Sequence, residues 1–391
     1  MPRSTTVTNA PVNHVDRHSR LAALVLALAL PADVVLYLLL PMFPEQFGVT
    51  LAEAGLLLAA NRLIRIAGYG FVARFYAKHG DRLTCTLAVV AAAVCAVGYI
   101  GLSGFRALLP LRLLWGLSFA ALNLSTQALA TADPVGSARR SGRSRAYTAL
   151  GPVIALPLAA FLAYAWGPRE VYWILTVSAL LGLVVARRLP AKRHPVPSKR
   201  RGLKLPNSLD MWSFLEGLTL DGLFIIGLSY LGSDALPGGA VMMAGVLLAV
   251  RYLGEILLSP VGGRLADHFG AEKLLLVLSL MTAATLIGFG AGWVWSCAAA
   301  IVVLRALQLP LLAPIIAHRT PGPERVQALV TRSVWRDIGA GTGPVLAGLL
   351  LPIMPSFWLY SIPAVLLAGA AVACVKTPVE VPAPVVVHSD H

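Results

Sequence analysis

Residues 263–273 read GRLADHFGAEK, from Gly263 to Lys273. This short polar stretch sits between two long apolar runs. Gly263 and Gly270 flank a single acid, Asp267, and Arg264 and Lys273 supply the basic charge. It reads as a loop joining two helices. Outward from it, apolar runs of about 20 residues recur, each long enough to cross a hydrocarbon core of about 30 Å.

The chain has 391 residues, of which 57% are hydrophobic and only 13% charged. A soluble domain carries roughly a quarter charged residues. Length alone allows two or three soluble domains, but the apolar runs are too long for them. A chain embedded in hydrocarbon must satisfy its backbone internally, so the expected class is all-α. The net charge of +14 would suit nucleic acid or a membrane surface, and its placement decides between them. Of the 32 Lys and Arg, 25 fall in the termini and alternate loops, five within apolar runs, and only Arg106 and Arg169 in loops of the other side. That is the positive-inside pattern, and it excludes a nucleic-acid partner in favour of membrane lipid. Cys85, Cys95, Cys297 and Cys374 are scattered, with no C-x-x-C pair or His–Cys cluster, so neither a disulfide framework nor a zinc site is expected. Met242-Met243 has no companion at helical spacing, and His388 and His391 are too few, so no metal site and no cofactor are expected. The first apolar run continues past Asp33 to Met42, which marks an uncleaved helix rather than a signal peptide.

The runs predict twelve helices, near 19–42, 51–73, 83–103, 107–131, 146–166, 170–187, 210–232, 240–262, 273–293, 295–318, 333–353 and 356–375. A polar tail, 1–18, precedes them and a tail, 376–391, follows. Residues 188–209 are basic and punctuated by prolines, the natural linker between a bundle at 19–187 and a bundle at 210–375. The halves repeat. GLLLAANRLIRI from Gly55 matches GVLLAVRYLGEI from Gly245. Ala73 to Arg82 matches the opening stretch, Arg112 matches Arg305, and Gly151-Pro152 matches Gly343-Pro344.

In this setting GRLADHFGAEK resembles the signature loop of the major facilitator superfamily, G-x-L-A-D-x-x-G-x-[KR]-[KR], over a resemblance that covers about 19–375. The first-half copy departs from it: Ala73 replaces the first glycine and Ala77 the acid. Arg112 to Gly116 gives the family's R-x-x-x-G, and Gly151-Pro152 resembles a motif of proton-linked antiporters. Gly339-x-Gly341-x-Gly343-Pro344 is a fuller version, which close helix packing explains equally well. The resemblance implies two pseudo-symmetric six-helix bundles, both termini cytoplasmic in an inner membrane, and a monomer working by alternating access. It also implies a proton-coupled antiporter or efflux transporter of a small organic solute, not an enzyme. Import of a small organic anion, or a transport-inactive receptor or assembly protein, are the alternatives.

Ionisable residues inside spanning helices are costly and mark function. Those expected here are Asp33, Arg62, Arg65, Arg112, Glu216, Asp221, Arg251, Glu255 and Arg305, several of them lining a cavity between the halves. Asp33 and Asp221 lie at matching depths and are the proton-coupling candidates, with Glu255, and the resemblance implies the same role for Arg112 beside the first helix. A static ion pair of Asp33 with Arg62, Arg112 or Arg251 is the bland reading. Arg62, Arg65 and Tyr69 share one helix face. Arg62, Arg251, Arg305, Asn123 and Gln127 are the substrate-binding candidates, since a guanidinium fits carboxylate or phosphate. Arg251 and Glu255 are four apart and suit an intrahelical pair, while charge reversal between Arg65 and Glu255 suggests a pair across the halves. In the gating loop, Asp267 is expected to latch onto helix amides or Arg336, with Arg74 and Lys78 alone serving the first half.

Overall fold

Residues 10–191, 206–233 and 240–376 are described by a computed structural model, and among them there is no β-strand. The side chains of 229–233 and 240–249, Met242 and Met243 included, lie outside that description. So do most of the 188–209 linker and the C-terminal tail with His388 and His391.

The chain opens with α1 (Ala10–Ala29) and α2 (Pro31–Met42), nearly continuous, because Pro31 removes one backbone donor where Leu30 stays helical. A 3₁₀ turn, Pro44–Phe47, leads to α3 (Leu51–Gly101), whose start is fixed by a capping box between Thr50 and Glu53. Helix α3 breaks at Gly80, where φ is +78°, into arms 51–79 and 81–101. Then come α4 (Phe105–Ala130), α5 (Ser137–Trp166) and α6 (Val171–Ala186). After the linker, α7 (Ser208–Glu216) begins on a second capping box, Asn207 with Asp210. It widens into a π-helical segment, Gly217–Leu223, and resumes as α8 (Phe224–Ser233). Helices α9 (Ala240–Phe269), α10 (Ala271–Gly290), α11 (Val294–Gln308), α12 (Leu312–Arg319), α13 (Arg325–Leu350) and α14 (Ser356–Lys376) complete the described chain.

Eight of the described helical segments are long and apolar enough to cross a membrane. Their outward faces carry exposed Ile154, Phe161, Val177 and Ile362, whereas Asp33, Arg112, Asp221 and Arg305 are buried. That distribution is reversed relative to a water-soluble protein and suits a multi-pass membrane protein in hydrocarbon.

Three boundaries differ from expectation. Residues 263–268 are the end of α9 rather than a loop, and only Gly270, at φ +89°, interrupts the helices. One left-handed glycine suffices to end a helix, and Gly80 does the same in α3. Helix α5 begins at Ser137, so Arg139, Arg140, Arg143 and Arg145 are helical. Arg140 anchors this start by donating to the carbonyls of Ala130, Asp133 and Val135. Helix α13 begins at Arg325, and Arg332 and Arg336 lie inside it. The basic count of the loops loses Arg145, Arg332 and Arg336 to the helical interior.

Helices α5 and α9 meet at very short range. A methyl at Gly142 would stand 2.4 Å from the Ser259 carbonyl oxygen, and one at Gly263 would stand 2.4 Å from that of Ala138. Both approaches lie toward the linker end of the helices. Gly263 therefore serves a backbone contact between helices from opposite sides of the linker. Within each side, Gly151 lies against the Ala27 carbonyl and Gly343 against that of Leu218, so both Gly-Pro pairs are close-packing points beside Pro152 and Pro344. Gly263→Val is expected to push α5 and α9 apart at that end, read as a lengthened distance between spin labels on the two helices. An unchanged distance distribution would contradict the packing account.

Candidate functional site

Asp33 sits in the first turn of α2, two residues past Pro31. Its carboxylate accepts from Arg112 of α4 and from Asn61 Nδ2, at 3.2 and 3.4 Å to its two oxygens. Arg112 is fully buried. Its Nε donates to the Leu57 carbonyl at 3.1 Å, and its guanidinium lies 5.4 Å from the Tyr37 ring centre. Of the expected partners for Asp33, the structure selects Arg112. Such a pair needs hydrogen bonds to its remaining groups in low dielectric; Asn61 and the Leu57 carbonyl supply part of them, while Arg112 Nη2 stays buried without a hydrogen bond among the described residues.

Asp221 sits in the π-helical segment. Three guanidiniums converge on it from three helices: Arg251 of α9 at 3.0 Å, Arg305 of α11 at 2.6 Å, and Arg336 of α13. Glu255 shares Arg305 at 3.2 Å and Arg251 at 3.8 Å, the expected intrahelical pair. Glu216 holds Arg336 at 2.9 Å. The network thus ties the segment around Asp221 to α9, α11 and α13.

Between the helices on either side of the linker, Arg65 Nη2 meets Asp337 Oδ1 at 3.0 Å, with Phe119 stacked 4.7 Å from its guanidinium. Asp337 Oδ2 and Arg65 Nε are buried without a hydrogen bond. Arg62 donates to the Ala340 carbonyl. Gln127 accepts from Arg332 at 3.4 Å, and Arg332 also reaches the Ser213 hydroxyl at 3.3 Å. Asn123 is half-buried, one turn from Gln127.

Some expectations are corrected. The charge pair across the linker is Arg65 with Asp337, not Arg65 with Glu255, because Arg251 and Arg305 already surround Glu255. Arg336 does not latch Asp267, since Glu216 and Asp221 hold it. Asp267 is exposed, as are Arg74 and Arg264. Nor does the first half rely on Arg74 and Lys78 alone. Asp81, directly after the Gly80 break, is buried and accepts from Tyr76 at 2.8 Å and Ser125 at 2.6 Å. Nearby, Arg325 donates to the carbonyls of Thr131 and Ala128 at the end of α4.

Sequence reasoning did not single out Asn61, Asp81, Arg145, Arg332 or Asp337 as site residues. Helix starts placed too late put Arg145 and Arg332 among the loop charges. Arg325, Arg332 and Arg336 fall at i, i+7 and i+11, one face of a helix, and that spacing was the available signal.

A family profile described as Major Facilitator Superfamily matches residues 22–236 and again 223–389. Comparison with curated proteins finds no match. Among solved structures, the chain is similar to the human organic anion transporter MFSD10 (TETRAN), with a TM-score of 0.76 and 15% identity over 92% of this chain and 99% of that one. It is also similar to a bacterial homologue of the iron transporter ferroportin in an outward-facing state with soaked iron, at TM-score 0.73 and 15% identity over 92% and 98% of the two chains. The proton:xylose symporter XylE aligns at TM-score 0.68 and 14% identity over 93% and 96%. At this identity the likeness concerns the fold.

Asp337→Asn strips Arg65 of its anion in a buried site. It is expected to destabilise the purified protein by about 3–5 kcal/mol, whereas exposed Asp267→Ala should stay within about 0.5 kcal/mol. Chemical unfolding in detergent micelles measures both. Equal effects would refute the assigned difference in burial and pairing.

Proposed function

The chain belongs to the major facilitator superfamily, and on that premise we propose a secondary active transporter that moves a small organic solute by alternating access. The two bodies that rock are 19–187 and 210–375, joined by the 188–209 linker and together counting twelve crossings. One observation carries this reading. A buried charged layer is built from helices of both bodies and bridged by Arg65–Asp337, Arg62 to the Ala340 carbonyl, and Arg332 to Gln127. Each bridge is a short polar contact that a few ångströms of rocking would break and a solute or water could replace.

The close approach of α5 and α9 at the linker end, with Arg325 on the α4 carbonyls, supports a state closed on that side. Positive-inside counting makes it the cytoplasmic side of a cell membrane, with both termini there. The Gly-Pro resemblance to proton-linked antiporters leads us to propose export in exchange for protons, with import the second reading. Asp33 is the proton carrier in this scheme. Protonation removes the charge that holds Arg112, and Arg112 is then free to turn toward the centre; deprotonation restores the pair and resets the helix. Asp81 weighs against a transport-inactive receptor, because a buried acid beside Gly80 serves where Ala77 offers none.

Reconstitution in liposomes under an imposed pH gradient tests this reading. Solute flux is expected to follow the gradient and to fall about a hundred-fold or more in Asp33→Asn, the range that loss of a positioned proton-transfer group costs. Flux that ignores Asp33→Asn would remove its coupling role. Absence of flux across a broad solute panel would favour the receptor reading.

A further inference from the structure

Five carboxylates lie in the charged layer, and each has a guanidinium: Asp33 with Arg112, Asp337 with Arg65, and Glu216, Asp221 and Glu255 with Arg251, Arg305 and Arg336. Among the described residues, three arginines of the same layer are left without an ion-paired acid. There Arg62 has only the Ala340 carbonyl, and Arg332 only Ser213 and Gln127. Arg145, half-buried on α5, has neither a hydrogen bond nor an ion pair among the described residues. We propose that Arg62, Arg145 and Arg332 form the binding site for an anionic solute bearing carboxylate or phosphate oxygens. This assignment rests on the transporter reading and specifies its substrate class.

The three guanidiniums share one neighbourhood. Helices α5 and α9 touch at Gly142 with Ser259 and at Ala138 with Gly263, so they run antiparallel, and Arg145, one turn beyond Gly142, stands at the level of Glu255, one turn before Ser259, which Arg251 and Arg305 hold. Arg332, Arg336 and Ala340 follow one another at four-residue spacing on α13, so the row runs about 12 Å along one face. Arg62 reaches one end of that row and Gln127 the other. Trp335, on the same helix, keeps a buried indole Nε1 without an acceptor. The half-buried Asn123, one turn from Gln127 on α4, adds a neutral donor.

The physics favours an anion. Several guanidiniums gathered where water is scarce repel one another, and each described carboxylate of the layer already pairs with another arginine. A cationic solute would add to the repulsion. A neutral one could accept hydrogen bonds but would leave the positive charge unbalanced. A carboxylate or phosphate satisfies them with charge-assisted, bidentate bonds. Solute arriving between α5 and α13 would contact Arg145 from one body and Arg332 from the other, so occupancy would also favour the two bodies drawing together.

Equilibrium binding to the purified protein tests this without requiring transport. Citrate, phthalate and phenyl phosphate are titrated, with tetraphenylphosphonium and glucose as the cationic and neutral probes, using calorimetry and tryptophan fluorescence. At least one of the oxyanions is expected to bind more tightly than either comparison probe. Its affinity is expected to fall about ten-fold, or about 1.4 kcal/mol, in Arg145→Gln and in Arg332→Gln, with Arg145→Lys retaining part of it. The exposed Arg106→Gln should match the wild type. Failure of every oxyanion to bind, preference for the cation or the sugar, or unchanged oxyanion affinity in both glutamine variants overturns the proposal. The unmodified protein alone decides the first two outcomes, so misfolding of a variant does not blunt the test. Oxyanion binding without flux in liposomes would leave this site standing while refuting transport.

Discussion

A buried carboxylate surrounded by three guanidiniums is the constraint on which the second half of the molecule depends. Asp221 faces Arg251, Arg305 and Arg336, and each comes from a different helix. Low dielectric strengthens these attractions and equally raises the cost of any charge left alone. The helices carrying the arginines are therefore held in register by one side chain, more tightly than apolar packing in a bilayer achieves, because lipid tails solvate apolar surface as well as protein does. Glu216 and Glu255 complete the balance by taking the remaining faces of Arg336, Arg305 and Arg251. In the first half the corresponding arrangement is leaner: one carboxylate, Asp33, one guanidinium, Arg112, and an amide, Asn61.

Glycine provides the second constraint. Where two backbones pass at carbonyl-contact distance, as at Gly142 with Ser259 and Gly263 with Ala138, there is no room for any side chain. Such contacts add dispersion over a long line without specific polar bonds, and they part without leaving an unsatisfied charge. The charged layer and the glycine seam thus do different things. One fixes which helices belong together, while the other lets two groups of helices touch and separate.

Much of the fold could be read from the chain, because length and apolarity leave a buried backbone few options. The matching depths of Asp33 and Asp221 and the intrahelical Arg251–Glu255 pair were legible from depth and helical spacing, whereas Arg112 stood as one of three candidate partners for Asp33, favoured only by the family resemblance. The tertiary pairs were not. Arg65 could have met any of several acids, and only the packing of α3 on α13 selects Asp337. The loop reading of 263–268 failed because charged residues do not by themselves end a helix. Nothing before Gly270 obliges the backbone to leave it. The same error hid Arg145 and Arg332. A run of arginines marks where the membrane is near, while helix start and depth decide whether a given guanidinium faces water or the interior.

The wide segment Gly217–Leu223 around Asp221 carries a consequence of its own. A π turn holds one residue more than the α-helical turn it replaces, and one residue corresponds to about 100° of rotation about the helix axis. Were this segment to tighten into regular α-helix, the part of the chain beyond it would swivel by that amount, and Asp221 would leave its three arginines. The helix is thus wound with one tooth of slack, placed at the residue on which the most partners bear, and its unwinding and rewinding would act as a screw whose thread is the backbone hydrogen-bond ladder.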